Sequence, residues 1–209
     1  MSTTANCPNC GAPIRFRWSS AVQTTCEFCR SILVRRDVNL EKVGVVADLP
    51  PESSPIQIGT EGVWRGRAFF VVGRILYEYE QGVWNEWHAV FGDGASGWIS
   101  DAQLQYAVSF LTPSQGLPPS SNVMRGQQLR MGDAVYEVTC LTRAHYKGVE
   151  GELPFEYWDK SDVVFADLGT PDARFGTIDY SDEPPALLLG ETVEYNDLGL
   201  KNVRQFEGW

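Results

Sequence analysis

The sequence predicts a mainly β protein, with a small cysteine-bearing module at the N-terminus and two tandem antiparallel β units after it. Four cysteines form two C-x-x-C pairs within the first thirty residues of the 209-residue chain. The remainder is rich in Val, Ile, Phe, Tyr and Trp, and glycines interrupt it about every ten residues, which is typical of short antiparallel strands. Two proline- and serine-rich stretches divide this remainder.

The cysteine pairs predict a metal site. Cys7 and Cys10 are separated from Cys26 and Cys29 by 15 residues. Two C-x-x-C pairs at this spacing are typical of a tetrahedral four-cysteine Zn²⁺ site, in which each pair holds one edge of the tetrahedron. We therefore expect residues 1–48 to form a zinc ribbon. A closed shell of four thiolates leaves no open position for water or substrate, which favours a structural role over a redox switch or a catalytic metal.

The residues around the cysteines suit this module. Gly11 follows the first pair and can adopt a positive φ, whereas Arg30 stands at the corresponding position after the second pair, where we expect modest backbone strain. Apolar residues alternate after each pair, which predicts strands of a small sheet: Ile14, Phe16 and Trp18, then Ile32 and Val34.

Two connectors set the boundaries of the β units. Residues 49–55 and 113–121 are rich in proline and serine, which neither a helix nor a central strand sustains. We expect a first unit at 56–112 and a second at 122–209, built as small barrels or a sandwich, because short strands need closure or stacking to cover their edges. The sequence leaves open whether the two units pack as one body, and it does not place the last twenty residues.

The two units echo one another. At an offset of 66, six positions of the first unit match positions of the second, which is consistent with two similar β units in tandem, although β-rich segments also resemble one another by chance. The matched positions are Gly66, Ala68, Val72, Gly82, Val83 and Glu86 with Gly132, Ala134, Val138, Gly148, Val149 and Glu152.

Charge is unevenly distributed. The net charge is −10, but residues 1–42 carry six basic and three acidic side chains and so hold +3, which leaves −13 for the rest. Four thiolates on one Zn²⁺ reduce the positive charge of the ribbon further, so the charge gives little indication of a nucleic-acid-binding surface. The acidic remainder instead favours a basic protein face or a polyamine as partner.

Composition indicates an ordinary globular protein. The chain is 43% hydrophobic, and it has no apolar run of about 18 residues that would span a bilayer. The first residues are polar and do not resemble a secretory signal, and the clustered thiols fit a reducing compartment, so we expect a cytoplasmic location.

One strand carries the candidate partner surface. Between Val83 and Phe91, alternation sends Trp84, Glu86 and His88 to a common face. Aromatic groups beside a carboxylate suit a partner peptide or a cation. The alternative is that a second sheet or the neighbouring unit covers this face.

No residue pattern indicates catalysis. His88 and His145 are the only histidines, and the sequence has no G-x-S-x-G, H-E-x-x-H or Walker motif. Alternation from Tyr136 through Val138 predicts that Cys140 is a small buried side chain and not a nucleophile. We expect a protein that is not an enzyme, with no catalytic residue.

Several segments resemble a bacterial family of unknown function in which a zinc ribbon can precede an all-β region. The resemblance covers residues 56–209, and Ser100 and Asp101 depart from its pattern. It implies a binding or scaffolding role, connected with a membrane-stress or envelope-associated assembly, and assigns no catalytic residue. The elements that carry it are Gly73-Arg74-Ile75, Trp84-x-x-Trp87, Asp93-Gly94, Gly97-Trp98-Ile99 and Gly151-Glu152-Leu153-Pro154-Phe155.

The sequence thus predicts a non-enzymatic zinc-binding adaptor that binds other proteins. A first alternative is a module that contacts single-stranded nucleic acid through the basic ribbon. A second is an enzyme with an unrecognised site. The first alternative uses Arg15, Arg17, Arg35 and Arg36 for phosphate and Phe16 or Trp18 for base stacking.

Overall fold

The structure, a computed structural model, describes residues 4–36, 39–46, 54–113, 115–156 and 162–206. The prediction of a mainly β protein is confirmed. In these ranges, helix is limited to two short 3₁₀ turns at Ser120–Asn122 and Tyr195–Leu198. No helix in the described ranges is both long and apolar enough to cross a membrane.

The N-terminal ribbon consists of two small sheets. Strands β1 (Thr4–Asn6) and β2 (Pro13–Arg15) pair around the first cysteine knuckle, and β3 (Gln23–Thr25), β4 (Ser31–Arg36) and β5 (Asn39–Val45) form a three-stranded antiparallel sheet. Both faces of β4 are buried. Leu33 packs inside the ribbon, whereas Ile32 packs against the rest of the protein.

The remaining strands form one antiparallel sheet that closes on itself. The first run, β7 to β10, is a meander, and so is the second, β12 to β15. Because β10 pairs with β15 and β12 pairs with β7, the eight strands make a ring. The strands are β6 (Glu61–Trp64), β7 (Arg67–Tyr79), β8 (Gly82–Phe91), β9 (Ser96–Ala102), β10 (Gln105–Thr112), β11 (Gln128–Met131), β12 (Ala134–Gly151), β13 (Val163–Gly169), β14 (Arg174–Asp179) and β15 (Ala186–Val193).

Strands β6–β10 lie within residues 56–112 and β11–β15 within residues 122–209, and each set supplies four strands of the ring. Each begins with a hairpin whose turn contains a glycine with positive φ, 75° at Gly66 and 60° at Gly132. The sequence echo therefore has a structural counterpart there. It ends further along, because Gly82 begins β8 whereas Gly148 lies beside an irregularity within β12.

Side chains of the ring alternate between its interior and two outer clusters. Outside the first half, Trp87, Phe91 and Val108 are covered by Ile56, Trp64 and Leu198. Outside the second half, Val138, Leu168 and Ile178 are covered by Val123 and by residues of β11. The C-terminal segment thus belongs to the outer layer, where Leu198 is buried and Lys201 pairs with Glu61.

Glycines lie at both seams where the two halves of the ring meet. At the β7–β12 seam, Gly73 pairs with Gly151, and a Cβ on Gly73 would lie 2.0 Å from the Glu152 carbonyl oxygen. At the β10–β15 seam, a Cβ on Gly190 would lie 1.7 Å from the Val108 carbonyl oxygen. Side chains at Gly73 and Gly190 would collide with backbone, so the ring closes only because these positions lack them.

One expectation from the sequence, a buried Cys140, is wrong. Cys140 is exposed, and the register of β12 shifts between Val138 and Cys140, so the bulge moves the thiol to the face opposite Val138, where Cys140 pairs with Asp167. The segment from Ser100 to Tyr106 forms the hairpin that joins β9 to β10. Gln103 and Leu104 form its turn, with φ of 54° and 69°.

Candidate functional site

The four ribbon cysteines converge on one point. All four Sγ atoms lie within 4.8 Å of one another, with 3.6 Å between Cys7 and Cys29 and 3.7 Å between Cys10 and Cys26. Four sulfurs placed about 2.3 Å from a central ion in a tetrahedron would be about 3.8 Å apart. The donor set and its spacing therefore fit a single bound metal ion.

The two knuckles have matching backbone geometry. The Gly11 amide donates to the Cys7 carbonyl at 2.9 Å, and the Arg30 amide donates to the Cys26 carbonyl at 2.8 Å. Both residues adopt positive φ, 76° at Gly11 and 59° at Arg30. The strain that the sequence predicts at Arg30 is thus present, since a left-handed conformation costs about 1–2 kcal/mol for a residue with a Cβ.

Replacing Arg30 by glycine should stabilise the ribbon. We expect the free energy of unfolding to rise by about 1 kcal/mol, because glycine adopts this conformation without the Cβ penalty. Thermal denaturation of the metal-loaded protein measures the change, expected as a rise of about 2–4 °C in Tm. Arg30→Ala serves as the control, since it removes the guanidinium but keeps the Cβ. An equal gain from alanine would contradict the backbone explanation.

A buried glutamate attaches the ribbon to the ring. The carboxylate of Glu152 accepts the backbone amides of Arg17 at 2.6 Å and Trp18 at 2.8 Å. The adjacent Leu153 exchanges backbone hydrogen bonds with Gln23 in both directions, at 3.0 and 3.2 Å. Burial raises the pKa of Glu152, and the two amide donors oppose that shift. The ribbon is therefore held to the ring by directed polar contacts in addition to the apolar packing of Ile32.

The ring encloses a cavity of about 720 Å³. All eight strands of the ring contribute to its wall. It opens at one end, which we call the mouth, where the chain connects β8 to β9, β12 to β13 and β14 to β15. Trp18 of the ribbon and Phe155 line this end. The ribbon is thus part of the site.

His88 connects the wall of the ring to the mouth. It is fully buried, with Nδ1 2.8 Å from the Glu152 carbonyl oxygen and Nε2 2.7 Å from the Ser96 hydroxyl. Because a carbonyl only accepts, Nδ1 carries the proton and Nε2 accepts from Ser96. Burial lowers the pKa of His88 to about 4, so its imidazole is neutral at physiological pH. Its faces contact Trp18 at 4.9 Å and Trp98 at 5.2 Å between centroids.

Aromatic side chains form the deep part of the cavity. Tyr77 contacts Trp84, Tyr146 and Phe165, with centroid separations of 4.8, 4.8 and 5.0 Å. Nearer the mouth, Trp98 stacks on Phe155 at 5.9 Å. Rings packed in this way give a rigid apolar wall.

Carboxylates interrupt this apolar wall. Glu86 accepts the Trp84 indole N–H at 3.1 Å and the Ser100 hydroxyl at 2.9 Å, and burial raises its pKa to about 8. Asp167 accepts the Thr177 hydroxyl at 2.9 Å, and burial raises its pKa as well. Asp179, on the adjacent strand, accepts the Ser181 amide at 2.8 Å. Both aspartates raise the pKa of Glu86 further.

Comparison with known proteins identifies the family but not an activity. A family model described as "Domain of unknown function (DUF4178)" matches residues 57–195, which is 139 of 209 residues. The chain belongs to the DUF4178 family. The matched range contains every strand of the ring, so the cavity wall lies within the DUF4178 domain except for Trp18, and the metal site lies outside the domain. No curated protein and no solved structure matches the chain.

The DUF4178 domain places the candidate partner residues inside its ring. Trp84 packs in the aromatic cluster, Glu86 borders the cavity, and His88 is buried. Other strands of the ring therefore cover this face, which was the alternative to an exposed partner surface. A ligand for Glu86 must therefore enter the cavity. Tyr77 and Tyr146 were not singled out by sequence, and neither is flanked by apolar residues on both sides. Asp167 alternates with Ala166 and Leu168, and Asp179 follows Ile178, which are apolar residues of the outer cluster.

Most of the ribbon residues considered for nucleic-acid contact have other partners. Phe16 is buried in the ribbon core with Arg35 over its ring at 5.5 Å, and Trp18 packs on His88. Arg36 pairs with Glu41 and Glu156. Base stacking would require Phe16 and Trp18 to leave these contacts.

Proposed function

We propose that this DUF4178 protein is a non-enzymatic binding protein whose cavity holds a small organic molecule and whose zinc-bound ribbon completes the mouth and serves as an adaptor for a protein partner. The observation that carries the proposal is the cavity itself, which has the size of a small-molecule site and is lined by rings with a few convergent polar groups. Its walls come from a closed sheet and are therefore preformed.

Zinc is the metal that best fits the ribbon. Four thiolates in tetrahedral spacing, supplied by two short knuckles, match the closed structural sites that this ion occupies. The role follows from the closed shell: the ion holds the two knuckles together and leaves no position for substrate. Its binding energy thereby replaces the core that a module of this size lacks.

Two features support binding in preference to catalysis. His88 is neutral, buried and committed through both nitrogens, so it does not act as a general base. Cys140 is exposed and pairs across the sheet with Asp167, with the Thr142 hydroxyl 3.5 Å from its thiol, and it is not among the described residues that line the cavity. Neither His88 nor Cys140 thus lines the site.

A neutral fluorescent probe tests the cavity. We expect Nile red to bind the full-length, metal-loaded protein saturably at one molecule per chain. Ser109 is buried on the cavity wall, so Ser109→Phe should fill the space and abolish binding, and Ala186→Phe should do the same from another strand. Ser121→Phe adds the same ring at an exposed site and should change nothing. Unchanged binding in both folded cavity variants would refute the proposal.

The adaptor role is assigned to the outer tip of the ribbon. Phe28, between the cysteines of the second knuckle, is 71% exposed, and a rigid aromatic side chain of this kind is a common anchor in protein interfaces. A partner from an envelope-associated assembly with a basic face would also be attracted by the acidic ring. Co-purification with the wild type, lost in Phe28→Ser and kept in Ser121→Phe, supports this role. Partners that do not differ between the variants count against it.

A further inference from the structure

The ionisable groups that line the cavity are acidic. Among the described residues of its wall, six are aromatic and four are carboxylates, and none is lysine, arginine or histidine. The aromatic residues are Trp18, Tyr77, Trp98, Tyr146, Phe155 and Phe165, and the acidic residues are Glu86, Glu156, Asp179 and Asp182. A lining of this kind repels anions and provides both interactions that stabilise an organic cation, which are ion pairing and cation–π contact.

Glu86 is the central acidic group. It lies midway along β8, surrounded by protein atoms apart from the cavity, and its hydrogen-bond donors, Trp84 and Ser100, are neutral. Asp167 and Asp179 lie close enough to disfavour its ionisation. A buried carboxylate that faces other carboxylates either holds a proton or is ionised beside a cation that offsets its charge. The geometry thus leaves a place for positive charge inside the cavity.

We infer that the cavity binds an organic ammonium ion, with Glu86 as the deep carboxylate and Tyr77, Trp98 and Tyr146 as the aromatic walls. This inference rests on the proposed small-molecule site and names the class of its ligand. At the mouth, Asp182 lines the cavity, whereas Glu156 is paired with Arg36. The net negative charge of the chain attracts an incoming cation toward Glu86.

The chemistry of the wall favours an ammonium ion over a hard metal cation. Calcium takes six to eight oxygen ligands at short range, whereas here the carboxylates are interleaved with rings around a large space. Aromatic faces bind alkylammonium groups well, because the methyl or methylene surface is desolvated while the charge attracts the π electrons. Linear polyamines and quaternary ammonium compounds share this chemistry, and the experiment separates them.

Isothermal titration of the full-length, metal-loaded protein tests the inference. Spermidine and choline are the two cationic probes, with 1,4-butanediol as the neutral control and succinate as the anionic control. We expect one of the cations to bind and both controls to fail. Binding of either cation supports the inference and identifies its type, whereas binding of neither, or equal binding of 1,4-butanediol, overturns it. Nile red entering a cavity that rejects both cations would overturn this inference alone, and the absence of all binding would overturn the proposed function too.

A charge-neutral variant tests the role of Glu86. Glu86→Gln keeps the shape and the acceptor for Trp84, so we expect it to fold, to bind Nile red as before and to lose at least tenfold in affinity for the cation. Glu137→Gln, on an exposed face of β12, removes the same charge outside the cavity and should leave affinity unchanged. Equal effects of the two variants would show that the net charge and not the site attracts the ligand.

The affinity should also depend on pH. Glu86 is half ionised at a pH of about 8, so its charged fraction and the affinity for a cation rise from pH 6.5 to 8.5. The titratable groups that face it are Tyr77 from β7, Tyr146 from β12, Asp167 from β13 and Asp179 from β14, and the tyrosines stay neutral in this range because burial raises their pKa values. Choline keeps its charge throughout, and spermidine is tested over the same range. A profile that is equally steep in Glu86→Gln would contradict this assignment.

Discussion

Replacing Cys26 by serine is expected to release the metal ion and unfold the ribbon while the eight-stranded ring stays folded. Cys26 is fully buried at the centre of the ribbon core, and its loss breaks the closed four-thiolate shell. Structural zinc contributes about 10–16 kcal/mol to the folding of small zinc-finger peptides, which exceeds what a module of this size gains from its core. The two outer clusters of the ring contain no ribbon residue, so they keep their packing.

Elemental analysis and calorimetry measure this outcome. The wild type should carry one zinc per chain and the variant none, and the variant should lose a part of the unfolding heat. Cys140→Ser is the matched control, because it removes a thiol that is exposed on the ring and away from the cluster. A fully folded ribbon in metal-free Cys26→Ser would show that apolar packing suffices and that zinc is not structural here.

Replacing Gly190 by alanine is expected to open the ring at the β10–β15 seam. The added Cβ would lie 1.7 Å from the Val108 carbonyl oxygen and 2.7 Å from the Ser109 Cα, which are backbone atoms and cannot rotate away. We expect the free energy of unfolding to fall by about 3 kcal/mol or more, at the upper end for overpacked sites. In a chain of this length, that corresponds to a loss of roughly 10 °C in Tm.

Gly92→Ala is the control for the backbone explanation. A Cβ at Gly92 would meet its nearest atom, the Ala68 carbonyl oxygen, at 3.7 Å, which is an ordinary contact. Both variants change the entropy of the unfolded chain in the same way, so their difference isolates the clash. Denaturant unfolding should show free energies of unfolding for the two variants that differ by about 3 kcal/mol or more. Equal stability would mean that the seam relaxes without cost.

Local features of the fold could be predicted from the sequence, whereas the closure of the ring could not. The knuckle spacing, the positive φ at Gly11 and Arg30, and the glycine turns at Gly66 and Gly132 each depend on a few neighbouring residues. The ring depends on pairings between distant segments, such as Ser109 with Gly190. Strand alternation shows that a face is covered but not by which strand.

The cavity was hidden for a related reason. In β13 and β14, the apolar residues Ala166, Leu168 and Ile178 face the outer cluster, while Asp167 and Asp179 face inward. Alternation by itself suggests the reverse, with the carboxylates on a solvent surface. The outer layer formed by β11 and residues 115–127 inverts this pattern, and only the tertiary structure shows that it lies there.

The position of the two seams has a consequence for how the protein folds during its synthesis. One seam pairs Gly73 of β7 with Gly151 of β12, and the other pairs Tyr106 of β10 with Val193 of β15. The strands β7 to β10 are therefore synthesised well before β12 and β15, with which their two outer strands pair. Until β12 and β15 are synthesised, β7 and β10 lack these partners, and unpaired strand edges are sites of aggregation in nascent β proteins. The ribbon, by contrast, can bind its metal ion as soon as its four cysteines have been synthesised. Its hydrogen bond from Arg17 to Glu152 forms later, because Glu152 lies 135 residues further along the chain.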